Sequence, residues 1–471
     1  INRGPAAAMV ALAAAALWSA LSAVAPPQSL LAGSVRARVA QRGAPVMAED
    51  KRAERRKIMS ADRYYRGARP FDKGVHESVT SQMVDRFKSK LVQEMRDSTF
   101  QTTQGDGAEQ VTFVLAKEYG FCWGVERSIE LAWAAREAFP DKRMHLTNEL
   151  IHNPQVNQLL ADMDVSFIEK TADGGKRFDA VEDGDVVILP AFGASLEEMQ
   201  LLDKKGVKVV DTTCPWVTKV WNTVDKHVKL EMTSIVHGKW DHEESIATAS
   251  MAEHFLIVKN IDEAALVCKY ILGEPDALSK EHFLERFKNA MSAGFDPDVH
   301  LKKLGLANQT TMYKKETTAI SKLFEKTMIQ RYGPEHAAQN YAAFDTICDA
   351  TQVRQDAITE MTADAKSGSA PLDFILVVGG WDSSNTGHLL EIPVHEGLTA
   401  YHINSASCIK QDNSIMHRTV DGKVELAKDF LPLDRPVRIG VSSGASTPDS
   451  SVQDVLDSVL LLKKLAKKVA A

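Results

Sequence analysis

The chain has 471 residues, 44% of them hydrophobic, with 56 Lys and Arg against 63 Asp and Glu for a formal charge of −7. That length suits about three domains with an ample core, and an acidic balance lacks the basic surplus of a general nucleic-acid binder. Five cysteines without short regular spacing exclude a disulfide-stapled secreted scaffold and point to a reducing compartment.

Residues 6–25 (AAAMVALAAAALWSALSAVA) form one apolar run ending in small residues before Pro26 and Pro27, the pattern of a signal h-region with its cleavage site. Ser29, Ser34, Arg36, Arg38 and Arg42 follow with no acidic residue before Glu49, which is transit-peptide composition. The pair predicts delivery to a plastid bounded by extra membranes; the competing reading is a membrane anchor, since the run is just long enough to span a bilayer. Residues 1–50 are assigned to targeting. Residues 51–108 are assigned to a charged N-terminal extension with one amphipathic helix at 78–96 (Val79, Met83, Phe87, Leu91, Met95).

From residue 111 short apolar runs recur: VTFVLA (111–116), DVVIL (185–189), VKVV (207–210), TSIVH (233–237), HFLIV (254–258), DFILVV (373–378) and VRIGVS (437–442). Helical patterns lie between them, such as Val125, Ile129 and Trp133 at i, i+4, i+8. Continuous apolar strands alternating with helices predict an α/β fold of mainly parallel sheets covered on both faces. Three lobes are expected, at 109–206, 207–343 and 344–471, around a central cavity, because chemistry in such units gathers where strands end. Five strands end in polar or cysteine-bearing loops: KEYGFC, DTTCP, HGKWDHEE, GGWDSSN and SSGAS.

Three cysteines share one setting. Cys122, Cys214 and Cys348 each follow a strand and precede a helix, where backbone N–H groups and the helix dipole favour the thiolate. Cys268 fits a buried helical position and Cys408 a loop. Buried cysteines are often no more than small hydrophobes, but one strand–helix thiol per lobe suits a shared metal centre. Zinc lacks its paired C-x₂₋₄-C spacing, whereas soft sulfur donors suit an iron–sulfur cluster with one iron left open. A cluster that only holds the lobes together stays open as an alternative. A nucleotide-binding oxidoreductase also stays open, although no G-x-G-x-x-G follows a strand.

The strings GFCWGVER, LTNELIHNP, VILPAFGAS, VVDTTCPWVTKVW, HGKWDHEE, NQTTM, TICDATQVRQDA, VVGGWDSSN and GVSSGASTPD occur in this order. In them the chain resembles the 4-hydroxy-3-methylbut-2-enyl diphosphate reductase family, in its plant and cyanobacterial branch, over residues 60 to 460. The resemblance implies a [4Fe–4S] cluster on Cys122, Cys214 and Cys348, one thiol from each lobe, with the unique iron taking the substrate hydroxyl. It implies diphosphate contacts at His152, His242, Ser383, Ser384, Asn385 and Ser446, with Glu244 and Thr310 near the allylic alcohol. It further implies a small diphosphate substrate and a ferredoxin-type electron donor, with no stable membrane association after processing and room for a homodimer. Phe192 in PAFGAS departs from the bacterial pattern, which has a further histidine there.

The residue types suit that chemistry. Without DDxxD or a Walker loop, a diphosphate is expected to be held by Ser, Asn, His and backbone donors. The small residues of Gly379-Gly380 and the GAS string are expected to admit phosphate oxygens close to the backbone. A carboxyl such as Glu244 in a closed cavity can have its pKa raised enough to protonate a leaving hydroxyl, with Thr310 as relay. Glu243 is read as a helix-dipole partner, and His237 and Trp240 as packing or supporting residues.

Overall fold

The computed structural model describes residues 48–67, 70–171, 175–344 and 346–470; the targeting segment lies outside them up to residue 47. No described helix is long and apolar enough to cross a membrane.

Among the described residues the strands form three sheets. Tyr64–Tyr65, Lys208–Asp211, Val186–Leu189, Met144–Leu146 and Val165–Phe167 make a five-stranded parallel sheet in that spatial order. Tyr341–Ala343, Leu304–Asn308, Thr233–His237 and Phe255–Val258 make a four-stranded parallel sheet. The third has seven strands, ordered Val424–Lys428, Ser414–Arg418, Ala400–Ile403, Phe374–Val378, Val437–Ser443, Val111–Leu115 and Gln101–Gln104. Its centre is parallel and its two edges antiparallel. Val186–Leu189, Thr233–His237 and Phe374–Val378 are buried at every residue, as strands covered by helices on both faces must be. All seven apolar runs picked out from the sequence are strands.

The lobes are not contiguous in the way expected. Val111–Leu115, placed in the first lobe, pairs with Val437–Ser443 in the seven-stranded sheet. Lys208–Asp211, placed in the second, belongs to the five-stranded sheet. The boundary instead runs through each cysteine. A strand of one sheet ends, the cysteine caps a new helix, and that helix covers the next sheet. Trp123–Ala138 buries Ile129, Ala132 and Trp133 against Met144, Leu146 and Ile188 of the five-stranded sheet. Pro215–Lys229 is shared: it packs on Leu304–Asn308 of the four-stranded sheet while Val217, Val220, Trp221 and Val224 also join the core of the five-stranded sheet. Asp349–Ser367 buries Ile358 and Met361 against Ile375 and Val377 of the seven-stranded sheet. Each sheet still sends one thiol to the centre, but Cys122 leaves the seven-stranded sheet, Cys214 the five-stranded and Cys348 the four-stranded.

Residues 51–108 are part of the fold rather than an appendage. Arg55 ties the first helix to buried Asp225 at 2.7 Å, and Ile58, Tyr64, Val79, Phe87, Val92 and Met95 are core residues. The single helix expected at 78–96 is two, Lys73–Phe87 and Lys90–Asp97. Ser89 interrupts it by accepting from Val92 N as an N-cap, which stabilises a fresh start more than a continuous turn would.

Candidate active site at three converging strand ends

Cys122, Cys214 and Cys348 are each the N-cap of a helix and have extended backbones. Their own carbonyls accept the first helical bonds, from Glu126 N, Thr218 N and Gln352 N. All three thiols are free and line one narrow cavity of about 90 Å³ together with His152, Phe192, His242, Glu244, Thr310, Ser383, Ser384, Asn385 and Ser446. Every site residue named from the sequence is therefore on this wall. Gly124 makes the approach of the thiols feasible, since a Cβ there would lie 2.5 Å from Cys214 Sγ and 3.9 Å from Cys122 Sγ. Burial pushes the Cys214 thiol up to about 12 and Cys348 to about 11, against N–H groups of Trp216 and of Thr351 and Ala350 that favour the thiolate. Ionised sulfur here calls for a cationic partner. No three His, Cys, Asp or Glu among the described residues are grouped tightly enough for one metal ion.

Cys268 and Cys408 are elsewhere, in the cores of the four- and seven-stranded lobes.

Beside the thiols sits one buried carboxyl. Glu244 accepts from Thr310 N at 2.6 Å and from Thr310 Oγ1 at 3.0 Å. Burial raises its pKa to about 7 despite both bonds. Glu243 differs: burial alone would raise it, but Lys176 and Lys170 outweigh that and hold it below the carboxylate range. It stands in the first turn of its helix, as the expected dipole partnership requires, and also pairs with those lysines.

The histidines form a directed chain. Glu244 N donates to His242 Nδ1 at 3.1 Å, which leaves the His242 proton on Nε2. That atom lies 3.4 Å from His152 Nε2, and His152 Nδ1 lies 3.0 Å from Glu149 Oε2. With Glu149 as acceptor, His152 carries its proton on Nδ1 and accepts from His242. Burial, then neighbouring His152 and Lys239, push His242 down to about 3, so it is neutral. Phe192 stacks on His152 with centroids 4.4 Å apart and meets His242 edge-on. It fixes both rings and adds no donor.

At the far end, the helix Ser384–His395 opens on the cavity. Ser383 caps it, and because its Oγ accepts from Thr386 N and Oγ1, its own proton remains free to donate. Ser384 Oγ and Asn385 Nδ2 are buried without a protein partner, a costly state unless a ligand supplies acceptors. Ser446 is partly committed, donating to the His152 carbonyl at 3.3 Å. The glycines behave differently from expectation. A Cβ at Gly380 would strike the His152 carbonyl and one at Gly444 the Thr386 hydroxyl; their smallness lets segments of the protein itself pack closely.

Several supporting residues carry no motif of their own. Gln309 Oε1 accepts from Lys239 N and Ser245 Oγ while its Nε2 donates to Thr311, tying together the loops that carry Glu244 and Thr310. Arg127 donates to the carbonyls of Thr212 and Thr213, and Arg354 to those of Tyr119 and Gly120. Both arginines lie within the quoted strings, but nothing in a string marks which carbonyls a guanidinium will reach. Past His152, His242, Ser383 and Ser384 the site opens into a wider cavity of about 540 Å³, whose wall includes Lys239, His388 and Arg418.

The family model described as LytB protein matches residues 113–460. Among curated relatives, the 4-hydroxy-3-methylbut-2-enyl diphosphate reductase of Thermosynechococcus vestitus is 48% identical over 417 residues, covering 88% of this chain and 99% of the relative. That of Trichormus variabilis is 50% identical over 390 residues, covering 83% and 93%. A solved structure of the E-1-hydroxy-2-methyl-but-2-enyl-4-diphosphate reductase from Plasmodium falciparum superposes with a TM-score of 0.53 at 23% identity, covering 73% of this chain and 86% of that one, a likeness of fold.

Proposed function

The chain belongs to the LytB protein family, and from that premise we propose that it reductively dehydroxylates (E)-4-hydroxy-3-methylbut-2-enyl diphosphate. The products are isopentenyl and dimethylallyl diphosphate, at the last step of the non-mevalonate isoprenoid pathway. One observation carries the reading: three free thiols, a buried carboxyl of raised pKa and unpaired Ser and Asn donors line one narrow cavity.

Cys122, Cys214 and Cys348 would hold a [4Fe–4S] cluster, and Gly124 keeps clear the space between two of them. When bound, such a cluster supplies two electrons singly and an iron with an open position for the alcohol. The remaining chemistry belongs to the protein. Ser383, Ser384 and Asn385 donate to the diphosphate, while His242, whose Nε2–H is engaged by His152, and Ser446 line the same end. Holding that end fixes the alcohol at the thiol end of the cavity and away from bulk water.

The balance is one substrate, two electrons and two protons giving one product and one water. The first proton goes to the leaving hydroxyl. Burial keeps the protonated form of Glu244 available near neutral pH. In that form its carboxyl proton is donated to Thr310 Oγ1, whose own hydrogen is then free to face the alcohol. The second proton is added to carbon at one or other end of the allyl unit, which decides between the two products.

A ferredoxin-type protein is the proposed electron donor, and a plastid is the proposed compartment; relatives of cyanobacterial origin support the latter. The test is anaerobic purification with iron and sulfide quantification, then turnover with a strong chemical reductant and product identification. Matching iron and sulfide with both isoprenoid diphosphates formed is the expected result. A chain that binds neither, or a cluster with four protein ligands and no turnover, overturns the proposal.

A further inference from the structure

Two arginines, Arg127 half-buried and Arg354 buried, cross between lobes to the loops that carry the thiols. Arg127 lies on the helix capped by Cys122, and its Nη1 donates to the carbonyls of Thr212 and Thr213, directly before Cys214. Arg354 lies on the helix capped by Cys348, and its Nη2 donates to Gly120 O at 2.7 Å and Tyr119 O at 3.3 Å, directly before Cys122. Each guanidinium thus links the helix of one thiol to the approach of another. The third link is different. The loop before Cys348 is held by Thr346 donating to Asn308 and by Cys348 N donating to Thr310 O at 3.4 Å.

Arg354 is the more enclosed of the two, at 4% exposure. It forms no ion pair with a carboxylate among the described residues, and burial pulls its pKa below the usual guanidinium value. Its Nε–H is buried with no protein partner. A guanidinium cannot shed its proton at working pH. The result is a permanent positive charge and a spare donor in contact with the loop of one proposed ligand and on the helix of another.

We propose that Arg354 is a positioning residue for the proposed cluster: its planar fork holds Cys122 in register with Cys348, and its charge makes the centre easier to reduce. This rests on the thiols being cluster ligands. Fixed charge and hydrogen bonding around the sulfurs are main determinants of a cluster's potential, and replacing fork geometry with a point charge separates the two effects.

The experiment uses the full-length holoenzyme reconstituted anaerobically as wild type, Arg354→Lys and Arg354→Met. Midpoint potential is read by redox titration followed by electron paramagnetic resonance, and cluster lability by the rate of iron loss to a chelator. Arg354→Met is expected to move the midpoint to more negative potential and to lose iron several-fold faster. Arg354→Lys is expected to keep the midpoint close to wild type while losing iron at an intermediate rate, because charge is retained and the fork is lost. If Arg354→Met fails to fold, Arg354→Gln gives the same neutral comparison. A neutral variant with full cluster content and an unmoved midpoint overturns the inference, as does a lysine variant shifted as far as the neutral one. A wild-type chain that takes up no cluster overturns the reading of the thiols instead.

Discussion

The two ends of the cavity are built on opposite principles. At the thiol end each cysteine is an N-cap whose neighbouring carbonyls and N–H groups are already engaged, by helix starts, by Arg127 and Arg354, and by the Thr310 carbonyl. At the polar end Ser384 and Asn385 keep buried donors that no protein group satisfies. One end, the Arg354 Nε–H aside, is finished as a scaffold, and the other is left short of acceptors. The difference teaches where each partner's binding energy would come from: preorganised ligands for a resident cofactor, and relief of stranded donors for a substrate that comes and goes.

Substitution at the thiols is the harshest way to break this contrast. Cys122→Ser, Cys214→Ser and Cys348→Ser should each eliminate turnover and most bound iron, measured anaerobically. Cys268→Ser and Cys408→Ser should retain both, since those thiols lie in separate cores.

Between the two ends, Glu244→Gln should lower kcat by about 10²- to 10⁴-fold, the usual worth of a general acid. With Glu244 acting as an acid of pKa about 7, wild-type kcat should fall as pH rises through neutrality, and the glutamine variant should lose that limb. Stability follows the same group. A carboxyl raised from 4.5 to about 7 by folding contributes stability that is complete below the unfolded value and lost as pH rises through 7. That contribution is on the order of 3 kcal/mol. Urea melts of the variant should therefore be flatter across this window.

The mildest probe sharpens the contrast at the polar end. Ser384→Ala removes a stranded hydroxyl, so the ligand-free protein should be stabilised by about 1 kcal/mol. The same change should raise KM about tenfold, the equivalent of 1.4 kcal/mol, with kcat little altered.

Much of this was legible before any coordinates. The seven apolar runs became strands because burial on both faces leaves no room for polar alternation. The three thiols stood out because a strand–cysteine–helix junction is a local pattern. Recognition of the histidines, Ser383 and Asn385 as one group came from the family resemblance, since no local signal joins residues 152, 242 and 385. The lobe boundaries were misplaced because an apolar run states that it is buried but not which sheet buries it. Edge strands such as Gln101–Gln104 and Val424–Lys428 escaped for the opposite reason, being mostly exposed and polar. Arg354 was invisible as a clamp because its acceptors are carbonyls 234 and 235 positions away, and every residue has a carbonyl.

The route of the chain through the three sheets also ties the centre to distant sequence. Val111–Leu115, the strand that aims Cys122, depends for its inner neighbour on Val437–Ser443, far along the sequence. Cys122 is thus aimed by a strand whose inner neighbour is supplied from far along the chain, and the three thiols converge only once that distant strand is in place.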